Sequence, residues 1–199
     1  MSRRDDPSPA PARGRPRSAR ADRAILDAAL ALLLERGYLH MSVEDVASAA
    51  GVGRTTVYRR YRDKPELVAA AVAASSGAED VPDTGSAYED LVALMRDAKA
   101  RYETAAGMPM AGVLLVDGPH NARLLESYRE RVVVPRRRRY HLVMRRGVER
   151  GELRDGLDND ALVDALTGSY YARHIGGLPI TRRWARHVVD VLWPSMRAG

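Results

Sequence analysis

The sequence predicts an all-α chain: three or four short helices followed by a bundle of longer ones. Three observations carry this. Apolar residues recur at three- and four-residue steps along most of the chain, and no segment shows the two-residue alternation of a half-buried strand. Glycine and proline punctuate these runs about one helix length apart. With 45% apolar and 29% charged residues among 199, the chain can bury a real core.

Residues 1–20, MSRRDDPSPAPARGRPRSAR, have almost no large apolar side chain. Such a segment cannot bury enough surface to offset the entropy of ordering, so a flexible basic arm is expected, either inert or laid along a polyanion. From Ala21, the residues Ile25, Leu26, Ala29, Leu32 and Leu33 share one helical face, and Gly37 is the expected stop. Ser42, three before Asp45, opens a second helix to Ala50 as a capping box with Asp in the usual Glu place. A third helix is expected from Arg54 to Tyr61. Asp63 then heads a fourth, with Pro65 in its first turn and Glu66 three after the cap.

SGAEDVPDTGS, residues 76–86, reads as a linker. Helices are expected beyond it over 86–105, 109–117, 120–150, 157–176 and 181–196, with breaks at Gly107 and Pro109, Gly118-Pro119, Gly151 to Gly156, and Gly176 to Pro179. This divides the chain into an arm over 1–20, a small domain over 21–68 and a larger one over 69–199.

A net charge of +6 and a pI near 9.9 favour a polyanionic partner without bearing on the fold. Lys64 and Lys99 are the only lysines among 32 cations; the rest are arginine, whose fork matches phosphate and guanine. No cysteine is present, which excludes disulfides, thiolate metal sites and cysteine nucleophiles. The start carries no apolar run like a signal peptide, and no run reaches the length of a membrane span, so a cytoplasmic location is expected.

Residues 43–61 carry the most specific spacing. Two short helices that cross through a tight turn need a small residue in the first and a glycine in the turn. Ala47 stands four before Gly51, framed by Val46, Ala50, Val52 and Val57. At 100° per residue, Val57 and Tyr61 share the inward side. Thr55, Thr56, Tyr58 and Arg59 point outward, with Arg54 and Arg60 on the flanks. That face suits the major groove: arginine can pair with guanine, threonine can meet base edges or a thymine methyl, and tyrosine can reach phosphate. Lys64 and Ser42, each at a helix start, stand beside free backbone N–H groups and are further phosphate candidates.

The stretch GYLHMSVEDVASAAGVGRTTVYRRYRDKPEL, with the helix before it, resembles the N-terminal domain of the tetracycline-repressor (TetR) family. The matching residues are Gly37-Tyr38, Ser42-Val43, Val46-Ala47, Ala50-Gly51-Val52, Tyr58, Arg60-Tyr61 and Lys64. The resemblance implies a helix-turn-helix DNA-binding domain ahead of an α-helical ligand-binding and dimerisation bundle. Three departures stand out. Gly53 replaces the frequent Ser or Thr cap, Arg60-Tyr61 replaces His-Phe, and the chain has no Phe.

Further on, RRGVERGELRDGLDNDALVDALTGSYYARHIGGLPIT resembles one C-terminal type of the same family, which implies a homodimer formed through residues 157–196. Leu162, Ala165, Leu166, Ser169 and Tyr170 give one stripe there, and Trp184, Val188, Val191 and Leu192 another; ordinary intramolecular core explains both equally well. The family fold would also place a small-molecule cavity in the bundle. Tyr102, Met108, Met110, Leu114, Met144, Tyr170, Tyr171 and His174 are lining candidates by residue type. VVVPRRRRYHLVMRR, residues 132–146, spreads four arginines round a helix, so a solvated, partly ion-paired surface is expected there, with Pro135 kinking or restarting the helix.

Enzyme signatures are missing from the sequence. His40, His120, His141, His174 and His187 show no metal-ligand spacing, GVG lacks the context of a dinucleotide fold, and no G-x-S-x-G occurs. No cofactor is expected. The expected function is a sequence-specific DNA-binding regulator, most often a repressor, reading a palindromic operator and released by a small molecule. A non-specific, nucleoid-type DNA binder is the alternative.

Overall fold

The computed structural model describes residues 15–75 and 80–199, and every named element among them is helical. The order is α1 (Arg15–His40), α2 (Val43–Ala49), α3 (Arg54–Tyr58), α4 (Lys64–Ser75), α5 (Ala87–Tyr102), α6 (Gly107–Val116), α7 (Ala122–Tyr128), α8 (Val134–Glu149), α9 (Asn159–Ile175) and α10 (Trp184–Met196). The expected arm is corrected at its C-terminal end, because α1 already begins at Arg15; the remainder of the arm, 1–14, lies outside the described residues. Pro16 falls in the first turn, where a missing N–H costs nothing, and the Arg- and Ala-rich stretch after it consists of good helix formers. Gly37 leaves helical geometry at φ 76° and ψ 167°, the break expected there.

Two cores organise the chain. The first gathers Ile25, Ala29 and Leu32 of α1, Val46 and Ala47 of α2, Val57 of α3, and Leu67, Val68 and Val72 of α4. It also takes in Met110 of α6 and Leu124 of α7. The small domain therefore has no closed core of its own: α4 runs on past residue 68 and carries its apolar face against α7. The second core joins Leu91, Leu94 and Met95 of α5 with Tyr140 and Met144 of α8, Leu166 and Tyr170 of α9, and Trp184 and Val189 of α10. Leu166, Tyr170 and Trp184, expected on a dimer stripe, are buried within the protomer. The largest apolar side chains of each stripe fill the nearest available core.

The helix expected over 120–150 is broken at its middle. Between α7 and α8, residues Arg129–Val133 form a π-helical turn in which the Val134 N–H donates to the Arg129 carbonyl. Pro135, in the first turn of α8, causes this, since it has no N–H for the carbonyl four residues back and its ring would press on that oxygen. The arginines after it are not simply a solvated surface. Arg139 is only 4% exposed and donates to Asp97 of α5 at 2.7 Å and to the Asp80 carbonyl. Arg137 bridges to Asp160 at 2.7 Å and to Asp164 on α9, and only Arg138 of the four is exposed. Near its end α8 passes α5 closely at Gly147, where a Cβ would stand 2.7 Å from Leu153 Cδ1 and 2.8 Å from Ala87 Cβ.

Candidate nucleic-acid interface and interior chamber

The α2–α3 pair is set by local chemistry. The Ser42 hydroxyl accepts from the Asp45 N–H at 3.1 Å, and the Asp45 carboxylate accepts from the Ser42 N–H at 2.9 Å. This completes the capping box with aspartate. The hydroxyl and backbone N–H of Ser42 hold the Asp45 carboxyl below the usual carboxylate range. After α2 the chain turns at Gly51, whose φ of +66° lies where a side chain is strained. The Val52 N–H then returns to the Ala47 carbonyl at 3.0 Å. Gly53 caps α3 through its extended backbone alone.

α3 presents its faces as the wheel predicts. Val57 is fully buried; Arg54, Thr55, Tyr58 and Arg59 are exposed, and Thr56 is half-buried. The helix is shorter than expected, ending at Tyr58 rather than Tyr61, though the N–H groups of Arg60 and Tyr61 still donate to the Val57 carbonyl at 2.9 Å. Tyr61 packs against the first core, as its inward position requires.

Three of the expected contact residues have partners within the protein. The Arg60 guanidinium pairs with Asp22 of α1 and donates to the Thr56 carbonyl at 3.0 Å. Arg54 lies 3.4 Å from Glu44 of α2, both well exposed. Lys64 sets its Nζ 4.3 Å above the Tyr38 ring, and burial pushes its amine below the ordinary lysine value. The Tyr38 hydroxyl in turn accepts from Asn121 Nδ2 at 3.2 Å, just ahead of α7. Asp22, Tyr38 and Asn121 were not singled out from sequence; they meet their partners across the fold, and no local periodicity marks them.

Behind this domain lies a chamber of about 160 Å³, walled by α5, α7, α8 and α9. Arg101, Tyr102, Tyr128, Arg136, Tyr140 and Tyr171 give it its chemistry. A smaller recess shares Arg101, Tyr102, Tyr128 and Arg136 and reaches Val72 and Ser75 at the end of α4. Burial raises the phenols of Tyr128, Tyr140 and Tyr171, which keeps them neutral. Tyr140 donates to the Leu94 carbonyl at 3.2 Å. Burial, and then the like charge of Arg136, lowers Arg101 from the usual arginine value.

Of the ligand candidates, the structure brings Tyr102 and Tyr171 together at the chamber, their ring centroids 5.0 Å apart. Tyr170 backs them, 4.6 Å from Tyr102. Met144 is buried in the second core and Met108 packs on it; Met110 is buried in the first, with Leu114 against it. His174 is exposed and stacks beside Tyr170. The sequence reading missed Arg101, Tyr128, Arg136 and Tyr140. Their residue types signal nothing locally, and the arginine run reads as surface.

Among the described residues, no helix is long and apolar enough to cross a membrane, and no cluster of three or more His, Asp or Glu is placed to hold a metal.

Comparison with known proteins agrees with this architecture. Residues 25–71 match the family model for bacterial regulatory proteins of the tetR family. Residues 81–192 match the tetracyclin repressor-like C-terminal domain. The uncharacterised HTH-type transcriptional regulator YdeS of Bacillus subtilis (strain 168) is 32% identical over 188 residues, 94% of each chain. The DNA-binding transcriptional repressor TetR of Mycobacteroides abscessus is 31% identical over 191 residues, 94% of this chain and 98% of its own. Among solved structures, the TetR family transcription regulator SCO0332 superposes with a TM-score of 0.71 at 27% identity, over 87% of this chain and 97% of that one. A capped helix pair with a glycine turn, an arginine- and threonine-bearing outer face, and matches over both halves lead to one conclusion: the chain belongs to the TetR family of helix-turn-helix transcriptional regulators.

Proposed function

We propose that the protein is a homodimeric repressor that reads a palindromic operator and is released from it by a small molecule in the α5–α9 chamber. The observation that carries the reading part is α3 itself. Arg54, Thr55, Tyr58 and Arg59 stand exposed on a helix whose inner residue, Val57, is locked in the core. In this reading Arg59 and Thr55 meet bases, while Arg54, Tyr58 and the Ser42 and Lys64 helix starts meet phosphate. Arg60, held by Asp22 and the Thr56 carbonyl, aims the helix, with Thr56 beside it at the edge of the reading face.

Dimerisation is supported by α9. Ala161, Ala165, Gly168, Ala172 and Ile175 fall on one face at helical spacing, and Ile175 is 79% exposed. Nothing stands within 4 Å of a Cβ built on Gly168, so a second helix can approach closely there. Val191 on α10, 64% exposed, extends the apolar surface. Two-fold symmetry gives each α3 one half-site.

Release would pass through α4. This helix carries Lys64 at its start, directly after the reading helix, and Val72 and Ser75 at its end beside the recess. A ligand that favours one placement of α4 shifts the population of reading-competent dimers.

The test is selection of bound duplexes from a random pool, followed by competition at fixed salt. A two-fold consensus preferred by a factor on the order of 10³ or more over random duplex is expected. Equal affinity for all duplexes would instead make the protein a non-specific binder. For the dimer, Gly168→Glu combined with Val191→Asp should sediment as monomer and lose operator binding; an intact dimer would remove α9 and α10 from the interface.

A further inference from the structure

The chamber is unusual in its charge. Arg101 from α5 and Arg136 from α8 both line the chamber and the recess beside it, and no Asp or Glu lines either among the described residues. The neighbouring acids are already engaged. Asp97 is held by Arg139 at 2.7 Å, and Asp160 and Asp164 are held by Arg137. Two guanidiniums brought together away from water repel each other and lose hydration, an arrangement that costs stability unless an anion joins them. The depressed basicity of Arg101, caused by burial and then by Arg136, is consistent with that cost.

The remaining walls are aromatic. Tyr102, Tyr140 and Tyr171 supply ring faces, and the Tyr128 hydroxyl hydrogen-bonds with Arg136. A volume of about 160 Å³ is close to that of an apolar cavity able to hold one benzene-sized ring. Rings above and below with a guanidinium pair at one side form a receptor for a flat ring bearing a carboxylate, since arginine binds carboxylates through paired charge-assisted hydrogen bonds.

We propose that the effector of this chamber is a small aromatic carboxylate, its ring packed among Tyr102, Tyr140 and Tyr171 and its carboxylate held by Arg101 and Arg136. This rests on the effector reading above and names the chemical class of ligand. Binding neutralises the arginine pair, so the liganded bundle is more stable than the empty one. The carboxylate also lies beside Val72 and Ser75, where α4 ends.

The experiment uses the full-length dimer and benzoate as probe, with benzyl alcohol and benzylamine as neutral and cationic counterparts of similar shape. Melting temperature and titration calorimetry are read first, then operator binding with each compound present. Benzoate is expected to raise the melting temperature, to bind at least roughly tenfold more tightly than benzyl alcohol, and to weaken the operator complex; benzylamine is expected not to bind. Arg101→Met should bring benzoate down to the benzyl alcohol level while leaving the unliganded protein as stable or more stable, an outcome that a purely structural arginine would not give. The wild-type ligand series decides the matter even if that variant folds poorly. Benzyl alcohol binding as tightly as benzoate, and weakening the operator complex, overturns the anionic class while leaving an effector chamber in place. No binding by any of the three overturns the aromatic carboxylate. If filling the chamber with Thr167→Trp also leaves operator affinity unchanged, the effector reading falls as well.

Discussion

The Arg60 guanidinium pairs with the Asp22 carboxylate, 38 residues earlier in the chain, while its other arm holds the Thr56 carbonyl at 3.0 Å. One side chain therefore ties the C-terminal end of the reading helix to α1 as well as to its own preceding turn. Asp22→Asn or Arg60→Gln should each loosen α3 and lower stability by about 0.5–1 kcal/mol, since Asp22 is partly exposed. Operator affinity should fall without a change in base preference. A double-mutant cycle measured by denaturant unfolding checks this; strict additivity of the two losses would mean that the pair contributes nothing.

Arg59 and Thr55 should behave differently. Both are exposed, and no internal partner orients them toward the protein core. Arg59→Ala or Thr55→Ala is expected to cost about 1–3 kcal/mol against the preferred operator and to relax selection at one or two positions. Lys64→Ala should weaken binding to all duplexes alike. Repeating the random-pool selection with each variant separates the roles, and a changed consensus for Lys64→Ala would overturn the assignment of that residue.

Gly53 offers a test in the stabilising direction. Its φ of −69° and ψ of 146° suit any residue, and a Cβ there would meet only Thr55 Oγ1, at 3.8 Å. Gly53→Ser supplies the missing cap and restricts the unfolded chain, so stability should rise by about 0.5–1 kcal/mol. Thermal unfolding reads it directly; a loss of stability would show that the turn needs glycine for a reason other than space.

These cases also mark how far the sequence could be read. Gly51 was legible because only glycine settles at positive φ in a tight turn, and the Ser42–Asp45 box because both partners lie three residues apart. The inward Val57 and outward Arg59 followed from periodicity alone. Asp22 with Arg60, and Arg101 with Arg136, were not legible, because each pair is joined by the crossing of distant helices. An arginine on α8 looks the same in sequence whether it faces water, as Arg138 does, or a chamber, as Arg136 does. Likewise Met110 and Met144 are both apolar and both in the C-terminal half, yet they fill different cores.

Gly147 is a position where space alone decides. A Cβ would stand 2.7 Å from Leu153 Cδ1 and 2.8 Å from Ala87 Cβ, and Ala87 cannot swing aside because its Cβ is fixed to the backbone of α5. Alanine is the better helix former, so propensity by itself would favour Gly147→Ala. Overpacking should win, with a net loss of about 1–3 kcal/mol by denaturant unfolding. A neutral or stabilised variant would show that α5 and α8 separate easily.

Acid should loosen the reading domain through two carboxylates. Asp45 is held below its ordinary value of 3.8 first by the Ser42 hydroxyl and then by the Ser42 N–H. Glu66 is held below 4.5 first by the Arg62 N–H, at 2.7 Å, and then by Arg131 in the π-helical turn. Because both folded values lie below the unfolded ones, each group contributes stability that is fully present above the unfolded pKa and is lost as pH falls through the folded one. Melting temperatures of wild type and Asp45→Asn should differ most near neutral pH and converge below about pH 4, where the wild-type carboxylate is itself protonated. Glu66→Gln should converge with wild type in the same manner. A difference that stayed constant down to about pH 3 would mean that the ionised carboxylates are not what holds α2 and α4 in place.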